Sequence, residues 1–330
     1  DELYEQLNYK LNKKMDSNKK TKIYILAITI FSIIISALMS LTLNSKNSWI
    51  LIISFIVFLI PASEIVIQII QYILSKFVKP KMIPKIDFSN GIDKQNETIV
   101  VIPTILKSKE KVRELMNKLE VFYLANKSDN IYFALLGDCS ESKNEEEKFD
   151  KEVVEEGLKQ ANKLNQKYNK NEKPIFHFLY RSRVWNNSEG CYLGWERKRG
   201  LLNEFNNYML NINKGSFRVN TLEENNPIEN LKYVITLDAD TDLILESAFE
   251  LVGAMAHILN KPIIDKNKNI VTNGYGIIQP RVGVNLDISY KNLFTKIFAG
   301  AGGIDSYTNA ISDIYQDNFN EGIFTGKGIY

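Results

Sequence analysis

The sequence predicts an α/β domain with a mostly parallel sheet, preceded by a helical hairpin that spans a membrane. Short apolar, β-branched runs alternate with helical patterns along most of the chain, which is typical of a sheet with helices on both faces. Two long apolar runs, Ile23–Leu43 and Trp49–Leu74, come first. Each is long enough to cross a bilayer as a helix, and the polar link "NSKNS" between them is short enough to predict a hairpin.

Basic residues flank this hairpin, whereas the link carries Lys46 alone. The flanking lysines are Lys13, Lys14, Lys19, Lys20 and Lys22 before it, and Lys76, Lys79 and Lys81 after it. The positive-inside rule therefore predicts that both flanks lie in the cytosol. We expect a multi-pass protein of the inner (cytoplasmic) membrane, with the lipid bilayer as a partner and its α/β domain in the cytosol.

Composition excludes several other classes. The 330 residues carry a net charge of +2 and no basic stripe, so a nucleic-acid partner is not expected. Two distant cysteines and two histidines predict neither a disulfide framework nor a histidine-rich zinc site. The predicted domains are a basic amino-terminal flank (1–22), the membrane hairpin (23–76), a linker (77–96) and the α/β domain (97–330).

The α/β domain contains five predicted strands and four predicted helices. The strands are Glu97–Thr104, Ile131–Asp138, Pro174–Arg181, Leu231–Asp238 and Ile270–Val282, and the helices are Ser108–Asn126, Asn144–Asn169, Arg197–Leu210 and Glu246–Leu259. The second helix is so rich in lysine and glutamate that we expect a solvated excursion. Ligands of such sheets bind beyond the carboxyl ends of the strands. We therefore expect Asp138, Asp238 and Asp240 to share one crevice.

The pair Asp238 and Asp240 in "LDADT" allows three interpretations. A hard cation such as Mg²⁺ is usually held by one or two carboxylates plus substrate phosphates, which suits a glycosyltransferase. An apolar strand followed by Asp-x-Asp-x-Thr is also the signature of haloacid-dehalogenase-type phosphatases, where the first Asp is a nucleophile. The third interpretation is a solvated strand end without chemistry.

The neighbouring motifs favour the transferase. A phosphatase of that type carries its motif on the first strand and needs a later Gly-Asp element, whereas here three strands precede the motif and Gly137–Asp138 lies upstream. The segment "WERKRGLLNEFN" contains Lys-x-Gly-x-Leu-Asn at Lys198, Gly200, Leu202 and Asn203. Processive transferases of the cellulose-synthase type carry a similar element, whose lysine can meet the donor diphosphate.

Longer motifs carry a closer resemblance across nearly the whole chain. They are "LIPASEIVIQII" at 59–70, "KIDFSNGI" at 85–92, "VVIPT" at 100–104, "RSRVWNNSEGCYLGWERKRGLLNEFN" at 181–206, "TLDADT" at 236–241, "GYGIIQPRVGV" at 274–284 and "FAGAGGIDSYTNAISDIYQDNFNEGIFTGKGIY" at 298–330. Together they closely resemble the cyclic β-1,2-glucan synthases, in their family 84 glycosyltransferase domain.

This resemblance implies a GT-A-like (Rossmann-like) fold and an inverting transfer of glucose from UDP-glucose, with Mg²⁺ or Mn²⁺ as cofactor. The implied partners are UDP-glucose, a growing β-1,2-glucan chain that family members build on the protein itself, and further domains of the same polypeptide. Family members then cyclise the chain.

The resemblance also assigns roles to residues of this chain. The implied donor-site residues are Thr104, Asp138, Lys198, Asp238, Gln279 and Arg281, and the implied metal ligands are Asp238 and Asp240. The candidates for an acceptor channel are Gln316, Asp317, Gly326 and Lys327. Trp185 and Trp195 are either stacking platforms for a sugar or uracil ring, or core residues.

The general base of an inverting transfer is expected after Tyr330, in a His-Asp element of the family. We therefore expect the 330-residue chain alone to bind UDP and metal weakly and to turn over little substrate. The alternatives left open are the phosphatase and a membrane-tethered, catalytically dead sugar-binding scaffold.

Overall fold

The computed structural model describes residues 17–77, 82–168, 173–222, 228, 230–280, 319, 322 and 324–330. They fall into two compact units, which are treated separately. The first comprises the described residues up to Met82 together with 319, 322, 324 and 325. The second comprises those from Ile83 to Pro280 together with 326–330.

The first unit is built on two long apolar helices, α1 (Ser17–Leu41) and α2 (Ser48–Phe77). They pack against each other through small polar side chains: Ser40 donates a hydrogen bond to the carbonyl of Leu51 at 2.8 Å and lies 2.8 Å from the hydroxyl of Ser54. The segments 19–41 and 48–74 are long and apolar enough to cross a membrane, and only 17% and 11% of their most apolar windows are buried. The described residues therefore contain the pair of long apolar helices that the sequence predicts.

The second unit contains ten short strands among its described residues. In chain order they are β1 (Thr98–Ile105), β2 (Ile131–Asp138), β3 (Phe176–Arg181), β4 (Val184–Asn186), β5 (Cys191–Leu193), β6 (Phe217–Asn220), β7 (Tyr233–Thr236), β8 (Ile263–Asp265), β9 (Ile270–Asn273) and β10 (Gly328–Ile329). Six form one sheet in the order β10-β7-β1-β2-β3-β6. The neighbours β7, β1, β2 and β3 are parallel, and β6 and β10 pair antiparallel at the edges. The predicted mostly parallel α/β sheet is confirmed.

The strand predicted over Ile270–Val282 is wrong in extent. Within the described part of this range, 270–280, the strand is limited to Ile270–Asn273, which pairs with β8 in a separate two-stranded hairpin. Further along, Ile278 makes an isolated antiparallel bridge to Ile329 of β10. The glycines at 274 and 276 interrupt the apolar run, because Gly274 has a φ of +71° that ends the extended backbone.

In the described part of this unit, the two faces of the sheet are covered by α3 (Lys109–Ala125), α4 (Lys148–Tyr168), α5 (Arg197–Met209) and α6 (Ser247–Ala256). Side chains along β1 alternate between the faces, as the period of a strand requires. Val100 and Ile102 lie in a buried cluster with residues of α3, α4 and α6, whereas Ile99 and Val101 lie in a second cluster with Leu201 of α5. Burial on both faces explains why the predicted strands are continuous apolar runs.

Helix α4 is not the solvated excursion that its composition predicts. It buries Val153, Ala161 and Leu164 against the sheet, and a Cβ added to Gly157 would lie 2.4 Å from the ring of Phe178. It also buries charged residues, each with a partner: Glu156 accepts two hydrogen bonds from Arg113, at 2.6 and 3.0 Å. The prediction failed because buried polar residues with long-range partners leave no apolar stripe in the sequence.

The strand order places a topological switch point between β1 and β7. The chain runs from β1 through β2 to β3 on one side, and β7 then returns to the opposite side of β1. In doubly wound sheets, ligands bind in the crevice beyond the carboxyl ends of the strands at such a point. Asp238 and Asp240 follow the end of β7, next to that crevice.

Candidate functional site

Three residues predicted for the donor site lie at the carboxyl ends of neighbouring strands of the sheet. Thr104 is the next-to-last residue of β1, Asp138 ends β2, and Asp238 follows β7. Leu237 continues the ladder beyond β7, since its N–H donates to the carbonyl of Val101 at 3.0 Å. The carboxyl ends of three adjacent parallel strands therefore supply these side chains, as the sequence predicts.

Asp238 is the centre of an ionic cluster. Its Oδ1 accepts a hydrogen bond from Lys198 of α5, and its Oδ2 lies 3.1 Å from Nζ of Lys327. Lys198 also donates to the carbonyl of Gly326 at 2.7 Å. The structure therefore brings together two residues predicted for the donor site and two predicted for the acceptor channel. We call Lys198, Asp238 and Lys327 the ionic cluster below.

The electrostatics of the cluster suit an anionic ligand. Burial opposes ionisation of Asp238, but hydrogen bonds from Lys198 and Lys327, and their charges, outweigh it and lower the pKa of this carboxyl. Two ammonium groups then surround one carboxylate, which leaves an excess of positive charge. The exposed fraction of each side chain is 31% for Lys198 and Asp238 and 13% for Lys327, so the cluster is partly desolvated while still open to solvent.

A lysine of α3 holds the turn that carries the two carboxylates. Lys118 donates to the carbonyl of Ala239 at 3.0 Å and pairs with Asp242 at 2.8 Å. Within the turn, the N–H of Thr241 donates to the carbonyl of Asp238 at 3.0 Å. This turn exposes Asp240, whose carboxylate accepts a long hydrogen bond of 3.5 Å from the Thr241 hydroxyl.

The two carboxylates at this turn are of the donor type that hard divalent cations prefer. Asp238 and Asp240 supply carboxylate oxygens, which Mg²⁺ and Mn²⁺ prefer. Both oxygens of Asp238 have an ammonium partner in this structure, so a cation bound there would displace Lys198 or Lys327 from one of them. No group of three or more His, Cys, Asp or Glu converges among the described residues. A site completed by substrate phosphates needs one or two carboxylates, so the pair suffices for that kind of site.

Asp138 lies in a buried ion pair. Its carboxylate, in a residue that is 2% exposed, accepts two hydrogen bonds from Arg181, from Nε at 2.9 Å and from Nη2 at 2.8 Å. The N–H of Cys139 donates to the same carboxylate at 2.9 Å. Burial, followed by the charge of Asp138, raises the pKa of the Cys139 thiol to about 12, so this cysteine stays protonated. The predicted contact of Asp138 with a nucleotide stays a prediction.

A cavity of about 400 Å³ opens beside this ion pair. It is lined by Asp138, Cys139, Glu141, Asn186, Glu189, Leu193, Gly194, Trp195, Glu196 and Arg197. Trp195 is 48% exposed on its wall, which suits a stacking platform better than a core residue. Trp185 stands on the β4–β5 hairpin, is 47% exposed, and packs edge-on against Tyr192 at 5.0 Å.

The remaining predicted residues lie elsewhere or outside the described part. Gln279 directly follows Ile278, which forms a bridge to Ile329 of the edge strand β10. Since β10 pairs with β7, Gln279 lies near the strand that precedes Asp238. Arg281, Gln316 and Asp317 lie outside the described residues.

The sequence analysis did not predict the roles of Arg181 and Lys118 or the position of Lys327. Arg181 held a detectable signal: it ends a buried strand whose neighbour ends in Asp138, so a parallel register places opposite charges side by side. Lys118 and Lys327 gave none, because their partners are far away along the chain.

The fold and the site together define a doubly wound α/β domain with the ionic cluster at its switch point. The chain also contains two candidate membrane-spanning helices. No family model matches the chain. The chain is 38% identical over 281 residues, 84% of its own length, to the cyclic β-(1,2)-glucan synthase NdvB of Rhizobium meliloti (strain 1021). This similarity confirms the predicted relationship to the cyclic β-1,2-glucan synthases. The aligned segment spans 10% of that relative's length.

Proposed function

We propose that this chain is the glycosyltransferase domain of a membrane-bound β-1,2-glucan synthase and that it transfers glucose from UDP-glucose with inversion. The observation that carries the proposal is the meeting of Lys198 and Lys327 on Asp238 at the switch point. A sugar nucleotide needs cations around its diphosphate, and the cluster offers two. The 38% identity to a β-(1,2)-glucan synthase supports the product class.

Each part of the site has a role in this proposal. The ammonium groups of Lys198 and Lys327 bind the diphosphate and neutralise the charge that develops on it as the sugar–oxygen bond breaks. Mg²⁺ or Mn²⁺, held by Asp238 and Asp240, supplies Lewis-acid stabilisation of the same leaving group when bound. Thr104 and the cavity wall formed by Trp195 are the places for the nucleoside, in a GT-A arrangement. Gly326 permits close approach of an acceptor glucan through its φ of +82°.

Calorimetry of UDP in the presence of Mn²⁺ tests the proposal. The wild-type chain in detergent should bind UDP only with Mn²⁺, and Asp240→Ala should lower the affinity by about tenfold or more, because one of two metal ligands is lost. Asp129→Ala is the matched control. Asp129 is exposed and precedes the amino end of β2, far from the strand ends that form the site, so this variant should bind UDP with wild-type affinity.

Two results would contradict parts of this proposal. Metal-independent UDP binding that Asp240→Ala leaves intact would remove the metal role. Release of phosphate from a generic phosphomonoester, lost in Asp238→Ala, would support the phosphatase interpretation of the same motif. For the longer polypeptide, incubation with UDP-glucose and linkage analysis of the product should show β-1,2 bonds.

We further propose that the α/β domain faces the cytosol, with the link between α1 and α2 on the other side of the inner membrane. The lysines before α1 and after α2 support this orientation, since the link carries Lys46 alone. In intact cells, a membrane-impermeant thiol reagent should label Ser45→Cys and leave Asp129→Cys unlabelled until the cells are opened. Equal labelling before opening would refute the orientation.

A further inference from the structure

The segment that leads into α5 has an unusual backbone. Glu196 and Arg197 both have a φ of +46°, in the left-handed region that residues with a Cβ rarely occupy. Such a residue is strained, and its conformation persists only where surrounding contacts determine it. The next residue is Lys198, the first member of the ionic cluster. The conformation of this segment therefore decides where that ammonium group stands.

Arg181 supplies the buried contacts to this segment, while Glu196 and Arg197 also form exposed ion pairs with Arg199 and Glu141. The side chain of Arg181 is 1% exposed and donates to two backbone carbonyls of the segment, that of Trp195 at 3.0 Å and that of Arg197 at 3.1 Å. The same guanidinium forms the two-point ion pair with Asp138. Arg181 thereby joins the end of β2 to the strained residues with a planar group that offers all its donors in a fixed geometry.

Gly194 shows how closely the segment is fitted to the ion pair. A Cβ at this position would stand 2.2 Å from Oδ1 of Asp138 and 2.3 Å from Nη2 of Arg181. Any side chain larger than hydrogen would displace the pair or the segment. The backbone from 194 to 197 is thus packed directly on the charged groups.

We propose that Arg181, oriented by Asp138, is a positioning residue that sets the left-handed start of α5 and thereby places Lys198 against Asp238. In this arrangement Asp138 serves the site as the buried counter-ion of Arg181, which is a different role from the nucleotide contact predicted from sequence. The part of the proposal that concerns UDP rests on the proposed function; the part that concerns the segment does not.

The structure supplies a matched control in a second buried ion pair. Arg183 and Asp150 have side chains that are each 2% exposed, and Arg183 lies two residues beyond Arg181. Arg183 donates to the carbonyls of Ser140 and Glu145, at 2.7 and 3.4 Å, and these lie on the loop between β2 and α4. Loss of either arginine removes an equally buried pair, but only Arg181 contacts the segment before Lys198.

Hydrogen exchange on the full chain in detergent tests the segment itself. Arg181→Met should speed exchange of the amides from 195 to 201 by about tenfold or more, whereas Arg183→Met should leave them within about twofold of wild type. Both variants should lower the thermal midpoint, so stability alone does not separate them. Equal acceleration in both variants would overturn the positioning role.

A double-mutant cycle with UDP and Mn²⁺ tests the link to Lys198. Arg181→Met alone should weaken binding by about tenfold, and by less than about twofold when Lys198→Ala is already present, because both act through one ammonium group. Full additivity would overturn the proposal. Should Arg181→Met not fold, Gly194→Ala replaces it, with Gly215→Ala as control, since a Cβ at Gly215 meets its nearest atom at 3.7 Å. If wild type binds no UDP, the proposed function fails while the exchange experiment still decides this inference.

Discussion

Replacing Gly200 by alanine will destabilise the α/β domain by about 2–4 kcal/mol, although alanine is the better helix former. A Cβ at this position would lie 1.7 Å from the carbonyl oxygen of Trp195, which is backbone and must shift by more than 1 Å to give a normal contact. That carbonyl is also an acceptor for Arg181, so its displacement disturbs the start of α5. Thermal unfolding of the purified chain measures the loss.

Gly215→Ala is the control for this substitution. Gly215 lies in an open loop before β6 and should tolerate alanine within about 0.5 kcal/mol. If Gly200→Ala unfolds at the wild-type temperature, the close approach of the Trp195 carbonyl is not a feature of the folded protein in solution. The result would also leave the glycine of Lys-x-Gly-x-Leu-Asn without a structural reason.

Replacing Lys198 by methionine will weaken binding of UDP with Mn²⁺ by about 10- to 100-fold, because a charge-assisted hydrogen bond contributes about 1.5–3 kcal/mol. Methionine keeps the length of the side chain and removes its charge. Lys327→Met should lower the affinity in the same direction, since its ammonium lies 3.1 Å from the other oxygen of Asp238. Titration calorimetry measures both.

Lys111→Met is the control for charge removal. Lys111 lies in the first turn of α3 and pairs with Glu114 on the protein surface at 2.7 Å. Its loss changes the net charge by the same unit and should leave the affinity unchanged. Equal effects of all three substitutions would mean that overall charge, rather than the ionic cluster, governs binding.

Much of the local structure was predictable because its signals are local. The apolar run before Asp138 predicts β2 with the bounds that the structure has, and Ser108 caps α3 by accepting from the N–H of Lys111 at 3.3 Å, close to the predicted start. The two apolar runs likewise appear as α1 and α2. In each case, the pattern of side chains within one short segment is sufficient to predict the element.

The candidate site was predictable in part. Asp238 and Lys198 lie in recognisable motifs. Asp138 and Asp238 were expected to lie close together, because the carboxyl ends of parallel strands meet on the same side of a sheet. The partner of Asp138 was missed: Arg181 lies 43 residues away, and the pairing follows only once β2 and β3 are placed side by side in parallel. The place of Lys327 was also missed, because it joins Asp238 only after β10 pairs antiparallel with β7. Helix α4 was misjudged for the same reason: its buried acids are satisfied by distant arginines.

The sequence by itself determined the four parallel strands of the sheet, the helices between them, the two apolar helices and the residue types at the strand ends, because periodicity and capping act over short distances. Tertiary structure alone decided which charges meet. Strand order put Asp238 at the switch point, burial made Asp138 a partner of Arg181, and that pair holds Glu196 and Arg197 in a conformation that no local preference favours. Such contacts form between residues far apart in the chain. They form because a buried charge without a partner of opposite charge would strongly destabilise the fold.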